Sequence, residues 1–157
     1  MNDTFVRALI TKHEGFRGTV YSDSRGKATI GIGFNLSDPT APATCAAHGL
    51  NYQALLNGAP ISFSDAQAVM SDQILSATFS ATKLIPNFNS LPDDAQAVVV
   101  DMLFNMGQPV FAEFHATIAA LKAGNCQLAS IQIKNSNWYG EVGARGLEDV
   151  SLMESAA

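Results

Sequence analysis

The sequence contains little cysteine and few charged residues. Its two cysteines, Cys45 and Cys126, lie far apart, with no Cys-x-x-Cys pair and no histidine at a zinc-ligand spacing. A zinc site and a framework of several disulfides are therefore excluded, which leaves two reduced thiols as the preferred interpretation and one long-range disulfide as the alternative. Charged residues make up 15% of the 157 residues and hydrophobic residues 47%. Such a composition excludes intrinsic disorder and provides enough apolar side chains for a core.

Long apolar runs are also absent. The N-terminal segment carries Asp3, Arg7 and Lys12 and has no apolar stretch of roughly 7–15 residues, as a secretory signal requires. No segment approaches the roughly 18 apolar residues of a membrane-spanning helix. We therefore expect a protein without a membrane span that is synthesised in the cytoplasm without a signal peptide. Any target outside the cytoplasm would have to be reached by another route.

Negative charge dominates, but it is unevenly distributed. The formal net charge is −5; residues 1–60 hold five basic and four acidic residues, and residues 61–157 hold four basic and ten acidic ones. Nucleic acid is not an expected partner, because non-specific binding depends on Lys and Arg that neutralise phosphates. Neither a metal nor a cofactor is expected, because the sequence contains no metal-binding or nucleotide-binding motif. The segment Gly31-Ile-Gly33 lacks the third glycine and the following helix of a dinucleotide site.

Apolar spacing and turn residues predict an α+β region at the N-terminus. The pattern over residues 3–13 is typical of an amphipathic helix that ends before Gly15. Two β-prone runs on either side of a polar turn at 23–27 predict a hairpin. The region 35–60 is rich in loops, with a short helix near 43–48.

The remainder of the chain is predicted to be helical. Ser64-x-x-Gln67 is a capping-box pattern, which predicts a helix from Ser64 to about residue 83. The segment 95–106 is almost wholly apolar and predicts a buried helix that ends at Gly107. Further helices are expected at about 111–123, 126–135 and 144–154. The expected organisation is one domain, with an α+β lobe over 1–63, a connecting helix over 64–84 and a helical lobe over 85–157.

Three polar residues in the first lobe form the clearest chemical pattern. Glu14 follows the first helix, Asp23 lies in the hairpin turn and Thr29 lies on the returning strand, which gives Glu-x8-Asp-x5-Thr. Cleavage of a glycosidic bond needs one carboxylic acid to protonate the leaving oxygen and a second carboxylate to activate water or stabilise the sugar cation. Spacing alone is weak support, because Glu14 could simply pair with an arginine, Asp23 could form an Asx-turn and Thr29 could be an ordinary strand residue.

The residues around this pattern resemble the phage-type lysozymes of glycoside hydrolase family 24. The matching motifs are Glu-Gly after the first helix, Tyr-x-Asp in the hairpin and Thr-x-Gly-x-Gly on the strand. The segment 101–107, the segment 136–139 and Arg145 resemble later parts of the family. The resemblance covers nearly the whole chain, is loosest over 35–60, and implies a lysozyme-like α+β fold of two lobes.

The resemblance also implies an activity. It identifies the chain as a muramidase that cleaves the β-1,4 bond between N-acetylmuramic acid and N-acetylglucosamine in peptidoglycan and so lyses bacterial cell walls. Glu14 would be the general acid, Asp23 the base that activates water, and Thr29 the residue that fixes this water. The partner would be the glycan strand of peptidoglycan, and the enzyme would be a monomer. An immunity or inhibitor protein is left open as a further partner. Release through a holin pore and delivery by a secretion system are both open.

The sequence departs from the family pattern at two points. Phe34 stands where the best-known member has a histidine, so a charged pair that this histidine could make between structural elements is absent. The chain is also acidic, whereas that member is strongly basic. The first difference concerns stability more than chemistry.

Further candidates for substrate binding are less specific. Asn105 and Gln108 could bind acetamido or peptide groups, or could merely cap a helix, and Arg145 could bind a substrate carboxylate or a structural acid. Trp138 and Tyr139 are interpreted as core residues rather than as platforms for sugar stacking, and His48 and His115 as surface residues. The full set of candidate binding residues is Phe34, Phe104, Asn105, Gln108 and Arg145.

Two other functions remain open at this point. A lytic transglycosylase uses a single catalytic acid and leaves an anhydro-muramic end, so it has no need of Asp23 and Thr29. A catalytically silent module that binds the cell wall would keep the fold without the activity, and the intact three-residue pattern argues against it.

Overall fold

Helices make up most of the chain, and the strands lie together near its N-terminus. The structure, a computed structural model, describes residues 1–156. The strands are β1 (Arg17–Ser22), β2 (Ala28–Gly31) and β3 (Phe34–Asn35). The helices are α1 (Asp3–Glu14), α2 (Ala41–Ala47), α3 (Tyr52–Leu56), α4 (Phe63–Leu84), α5 (Asp93–Phe111), α6 (His115–Lys122), α7 (Cys126–Lys134), α8 (Asn137–Val142) and α9 (Ala144–Ser155), with a 3₁₀ turn at Phe88–Ser90. The predicted α+β class is confirmed.

The three strands form one antiparallel sheet in the order β1-β2-β3. Thr29 on β2 lies opposite Tyr21 on β1 and Asn35 on β3. The register of β1 shifts between Arg17 and Tyr21, which is an irregularity of the bulge type. The predicted hairpin is confirmed, and β3 extends it because the chain turns back after Gly31.

The chain divides into two compact units. The sheet unit is Ile10–Gln73, and the helical unit comprises Met1–Leu9 and Ile74–Ala157. Each unit has its own set of fully or almost fully buried apolar side chains. In the sheet unit these include Ile30, Ile32, Leu36, Val69 and Met70, and in the helical unit Val98, Val99, Met102, Leu121, Ile133 and Met153. The lobe boundaries expected from the sequence, at 63 and 84, stay a prediction.

The start of α4 differs from the sequence prediction. The helix begins at Phe63, and the Ser62 hydroxyl accepts a hydrogen bond from the Asp65 amide at 3.1 Å while donating to Oδ2 of Asp65 at 2.6 Å. The predicted capping box at Ser64 and Gln67 is therefore wrong. The capping residue lies two positions earlier, and the acidic side chain three residues after it accepts from the Ser62 hydroxyl.

The end of α5 also differs from the prediction. Gly107 has a non-helical backbone (φ 78°, ψ 161°), as expected for the residue that ends this helix, but helical hydrogen bonding resumes and continues to Phe111. As a consequence the next helix, α6, begins at His115, so the helix predicted over 111–123 is shorter than expected. Pro109 lies just after the break, where its missing amide costs little.

The two cysteines and one histidine bear on other predictions. Cys45 and Cys126 are both buried free thiols, as the preferred interpretation predicted, and burial raises the pKa of each thiol. His48 is half-buried, and its Nε2 lies 2.8 Å from Oδ2 of Asp72 on α4. A histidine–aspartate contact between elements therefore exists although position 34 is phenylalanine.

Candidate active site

Glu14 is held at the C-terminus of α1. Within the sheet unit, α1 is anchored by the fully buried Ile10, and the Gly15 amide donates to the Thr11 carbonyl at 2.9 Å. Gly15 has a φ of +68°, a conformation that glycine adopts readily and that ends the helix directly after Glu14. The Glu14 side chain is half-buried and lies against the turn between β2 and β3.

Asp23 stabilises the turn between β1 and β2 through hydrogen bonds to the backbone. Its Oδ1 accepts hydrogen bonds from the amides of Arg25 and Lys27, both at 2.8 Å, and its own amide donates to the Lys27 carbonyl at 2.9 Å. Asp23 is therefore an Asx-turn residue, but only through one oxygen. Its other oxygen, Oδ2, accepts no hydrogen bond from residues 1–156. The turn thus holds a carboxylate in place and leaves one acceptor open.

Thr29 lies on the central strand of the sheet and is only 4% exposed. Its hydroxyl donates to the Lys27 carbonyl at 3.1 Å. Because a hydroxyl has a single proton, the Oγ1 of Thr29 can then only accept from a further partner. Lys27 contacts both residues: its amide donates to Oδ1 of Asp23, and its carbonyl accepts from the Thr29 hydroxyl. The positions of Asp23 and Thr29 are therefore coupled through the backbone of Lys27.

Tyr21 lies close enough to Glu14 and Asp23 for the charges of both to affect its pKa. It faces Thr29 across the strands, and the Arg17 guanidinium lies over its ring, 4.5 Å from the ring centroid. Burial raises the pKa of the Tyr21 hydroxyl, and the negative charges of Glu14 and Asp23 raise it further, while Arg17 opposes them. Tyr21 is therefore within electrostatic range of both acids. Its place in the Tyr-x-Asp motif was the only sequence signal for this role.

The other candidate on the sheet is Phe34. Its side chain is 5% exposed, and its backbone pairs with that of Ile30. A ring with so little exposed surface offers little to a substrate, and its evident contribution is to the core of the sheet unit.

Arg145 and its neighbours form a buried charged cluster in the helical unit. Arg145 donates to both oxygens of Asp101, with Nε 2.7 Å from Oδ2 and Nη2 3.0 Å from Oδ1. Of the two roles considered for Arg145, this geometry favours the binding of a structural acid. Asp149 is fully buried; burial and the adjacent Asp101 carboxylate raise the pKa of Asp149 to about 9. The sequence analysis did not identify either aspartate as part of a charged cluster, since Asp101 on α5 and Asp149 on α9 are far apart in sequence and no short motif joins them.

The remaining candidates lie around the break in α5. Phe104 and Asn105 are half-buried and Gln108 is exposed. The Oδ1 of Asn105 accepts from Nε1 of Trp138 at 3.0 Å, and Trp138 is 6% exposed. The interpretation of Trp138 as a core residue is therefore confirmed. Contacts of Phe104, Asn105 and Gln108 with a substrate stay a prediction.

Comparison with known proteins finds a family match and a distant relative. The sequence profile of the phage lysozyme family matches residues 11–152. A protein from Dictyostelium discoideum named "Probable T4-type lysozyme 2" is 21% identical over 159 residues, a match that covers 96% of this chain and 94% of that protein. The match to the family includes every candidate site residue, from Glu14 to Arg145.

Proposed function

Because the chain belongs to the phage lysozyme family, we propose that it is a muramidase that hydrolyses the β-1,4 bond between N-acetylmuramic acid and N-acetylglucosamine in peptidoglycan. The observation that carries this proposal is the state of Asp23. One of its oxygens is anchored by two backbone amides, and the other is open beside a residue, Tyr21, that also experiences the charge of Glu14. Two carboxyl groups of this kind are what glycoside hydrolysis requires.

In this proposal Asp23 and Thr29 hold the attacking water. Oδ2 of Asp23 is an acceptor, and Oγ1 of Thr29 can only accept because its proton is directed to Lys27. A water that donates one proton to each acceptor presents its lone pairs to the anomeric carbon of the sugar. As the carbon–oxygen bond forms, Asp23 takes the proton on its side and acts as the general base.

Glu14 completes the reaction as the general acid. Its proton passes to the glycosidic oxygen as the bond to the anomeric carbon breaks, so the leaving sugar departs as a neutral alcohol. The proton lost by water and the proton gained by the leaving group balance, and direct attack by water inverts the anomeric centre. Asn105 and Gln108 are proposed to bind the acetamido or peptide groups of the strand.

The first prediction tests the general acid. Glu14→Gln keeps the size and shape of the side chain but cannot donate an acidic proton, so we expect clearing of a cell-wall suspension to fall by at least about a hundredfold. Glu113→Gln makes the same chemical change at an exposed position of the helical unit and is expected to keep full activity. Clearing that survives in Glu14→Gln would contradict the assignment of this residue.

Mass spectrometry of the released fragments distinguishes the enzyme classes. Hydrolysis adds water and leaves a reducing N-acetylmuramic acid end, whereas anhydro ends would show a lytic transglycosylase. A wild-type protein that binds cell walls but releases no fragments at any pH would favour a silent binding module. The cellular setting, with release through a holin pore or delivery by a secretion system, is proposed only as the way in which the enzyme reaches the wall.

A further inference from the structure

The backbone at Gly33 approaches the Glu14 carboxyl very closely. A Cβ on residue 33 would lie 2.7 Å from Oε2 of Glu14, 2.9 Å from its Cδ and 3.0 Å from its Cγ. Carbon atoms in favourable contact are about 3.5–4.0 Å apart. The carboxyl in its present position therefore occupies space that any side chain at position 33 would need.

The turn that carries Gly33 has little freedom to retreat. Ile32 and Phe34, on either side of it, are 1% and 5% exposed, and Phe34 is paired with Ile30 in the sheet. On the other side of the contact, α1 is anchored by the fully buried Ile10. Because both backbones are held, the part that can move is the Glu14 side chain beyond its Cβ.

We propose that Gly33 is a positioning residue for Glu14, because its missing side chain provides the space in which the carboxyl is held against the turn between β2 and β3. The inference rests on the proposed role of Glu14 as general acid. A methyl group at residue 33 forces the Glu14 side chain out of this position and into another rotamer. The reaction is then slowed, because a general acid must lie within hydrogen-bond distance of the oxygen that it protonates.

Gly49 offers a matched control for backbone strain. Gly33 has a φ of +69° and Gly49 a φ of +67°, so an alanine at either position is strained to a similar degree. At Gly49, however, a Cβ would meet no atom of residues 1–156 within 4 Å beyond its chain neighbours. Gly49→Ala therefore carries the strain of Gly33→Ala without the contact to Glu14.

The experiment compares Gly33→Ala and Gly49→Ala in two measurements. The first is the hydrolysis of soluble peptidoglycan fragments, in which we expect Gly33→Ala to lower kcat at least tenfold with KM within about twofold. This split is expected because the acid acts in the transition state. The second is the ¹³C resonance of the Glu14 carboxyl, assigned by its loss in Glu14→Gln, which should move in Gly33→Ala. Gly49→Ala should leave both unchanged, with a similar Tm decrease of roughly 2–4 °C in each variant.

The inference is overturned if kcat of Gly33→Ala matches that of Gly49→Ala, or if the Glu14 resonance does not move. If the wild-type protein hydrolyses no peptidoglycan, the proposed function fails, and an unchanged resonance would separately refute the contact. If Gly33→Ala does not fold, Glu14→Ala/Gly33→Ala decides the question. Recovery of a cooperative thermal transition in the double variant supports the contact, and no recovery refutes it.

Discussion

At the scale of single residues, the chemistry of the site depends on which atoms are already engaged. The turn holds Oδ1 of Asp23 through two backbone amides. The Thr29 hydroxyl donates its hydrogen bond to the Lys27 carbonyl. The groups that remain are both acceptors. Two acceptors can orient a water through its two protons, and the proposed role of Thr29 depends on this arrangement.

The contribution of the Thr29 hydroxyl can be separated from that of its shape. Thr29→Val keeps the branched side chain but removes the acceptor, so we expect kcat to fall about 10–100-fold. Thr29→Ser keeps the hydroxyl and should lose no more than a few-fold. Both variants are measured on soluble peptidoglycan fragments. Equal activity of the two variants would show that the hydroxyl holds no catalytic water.

At the scale of elements, side-chain caps mark where two of the short helices begin. Asn51 and Ser136 cap the short helices α3 and α8, with side-chain oxygens that accept from the amides of Ala54 and Tyr139. These helices of five and six residues are too short to show a helical repeat of apolar residues. The capping residues were therefore the only local signal that could have predicted them.

The revised start of α4 leads to a direct test. Ser62→Ala removes the hydroxyl that accepts from the Asp65 amide, and loss of such a cap typically costs about 1 kcal/mol. We expect Tm to fall by roughly 2–4 °C. Ser64→Ala, the matched control, removes a hydroxyl that contacts Ser62 but caps no amide, and should change Tm by less than about 1 °C. A larger effect at Ser64 would restore the capping box at Ser64 and Gln67.

At the scale of the whole molecule, buried acids make stability depend on pH. Burial and the neighbouring Asp101 carboxylate raise the pKa of Asp149 from 3.8 to about 9, with Glu148 adding to the effect and Arg145 opposing it. In the unfolded chain Asp149 loses its proton near pH 4, whereas the folded protein keeps it. The folded state therefore binds the additional proton, and the free energy of unfolding decreases as the pH rises from about 4 towards 9.

Removing this titration should stabilise the protein at high pH. Asp149→Asn keeps the size of the side chain without an ionisable group, so we expect its free energy of unfolding at pH 8 to exceed that of the wild type by about 1–3 kcal/mol. The difference should shrink as the pH approaches 4. Urea unfolding between pH 4 and 9 measures it, with the exposed Glu141→Gln as the control. A difference that does not vary with pH would contradict a protonated Asp149.

The helices of residues 1–156 also bear on whether the chain could cross a membrane. None of the helices in residues 1–156 is both long enough and apolar enough to cross a bilayer. The chain belongs to the phage lysozyme family over residues 11–152, although its formal net charge is −5. Glu14, Asp23 and Thr29 lie within residues 1–60, where five basic and four acidic residues nearly balance.

Local features of the sequence were sufficient to predict the fold class and the hairpin, whereas the catalytic roles of Glu14, Asp23 and Thr29 stay a prediction that rests on the family resemblance. These features are short in range: an apolar period of 3.6, a polar turn between β-prone runs, and motifs of a few residues. A helix end at Gly107 was predicted from a signal of the same kind; the structure has a break there, where a positive φ favours glycine, and the helix then continues to Phe111.

Only the tertiary structure decided which atoms of these residues remain available. Three features involve residues that are distant in sequence: the pairing of Asp101 with Arg145, the raised pKa of Asp149 beside Asp101, and the close approach of Gly33 to Glu14. No periodicity encodes such contacts, because they arise when packed elements exclude water and bring charges and bare backbone together. The sequence by itself predicted which groups carry the chemistry, and packing determined how their carboxyl and hydroxyl oxygens are held.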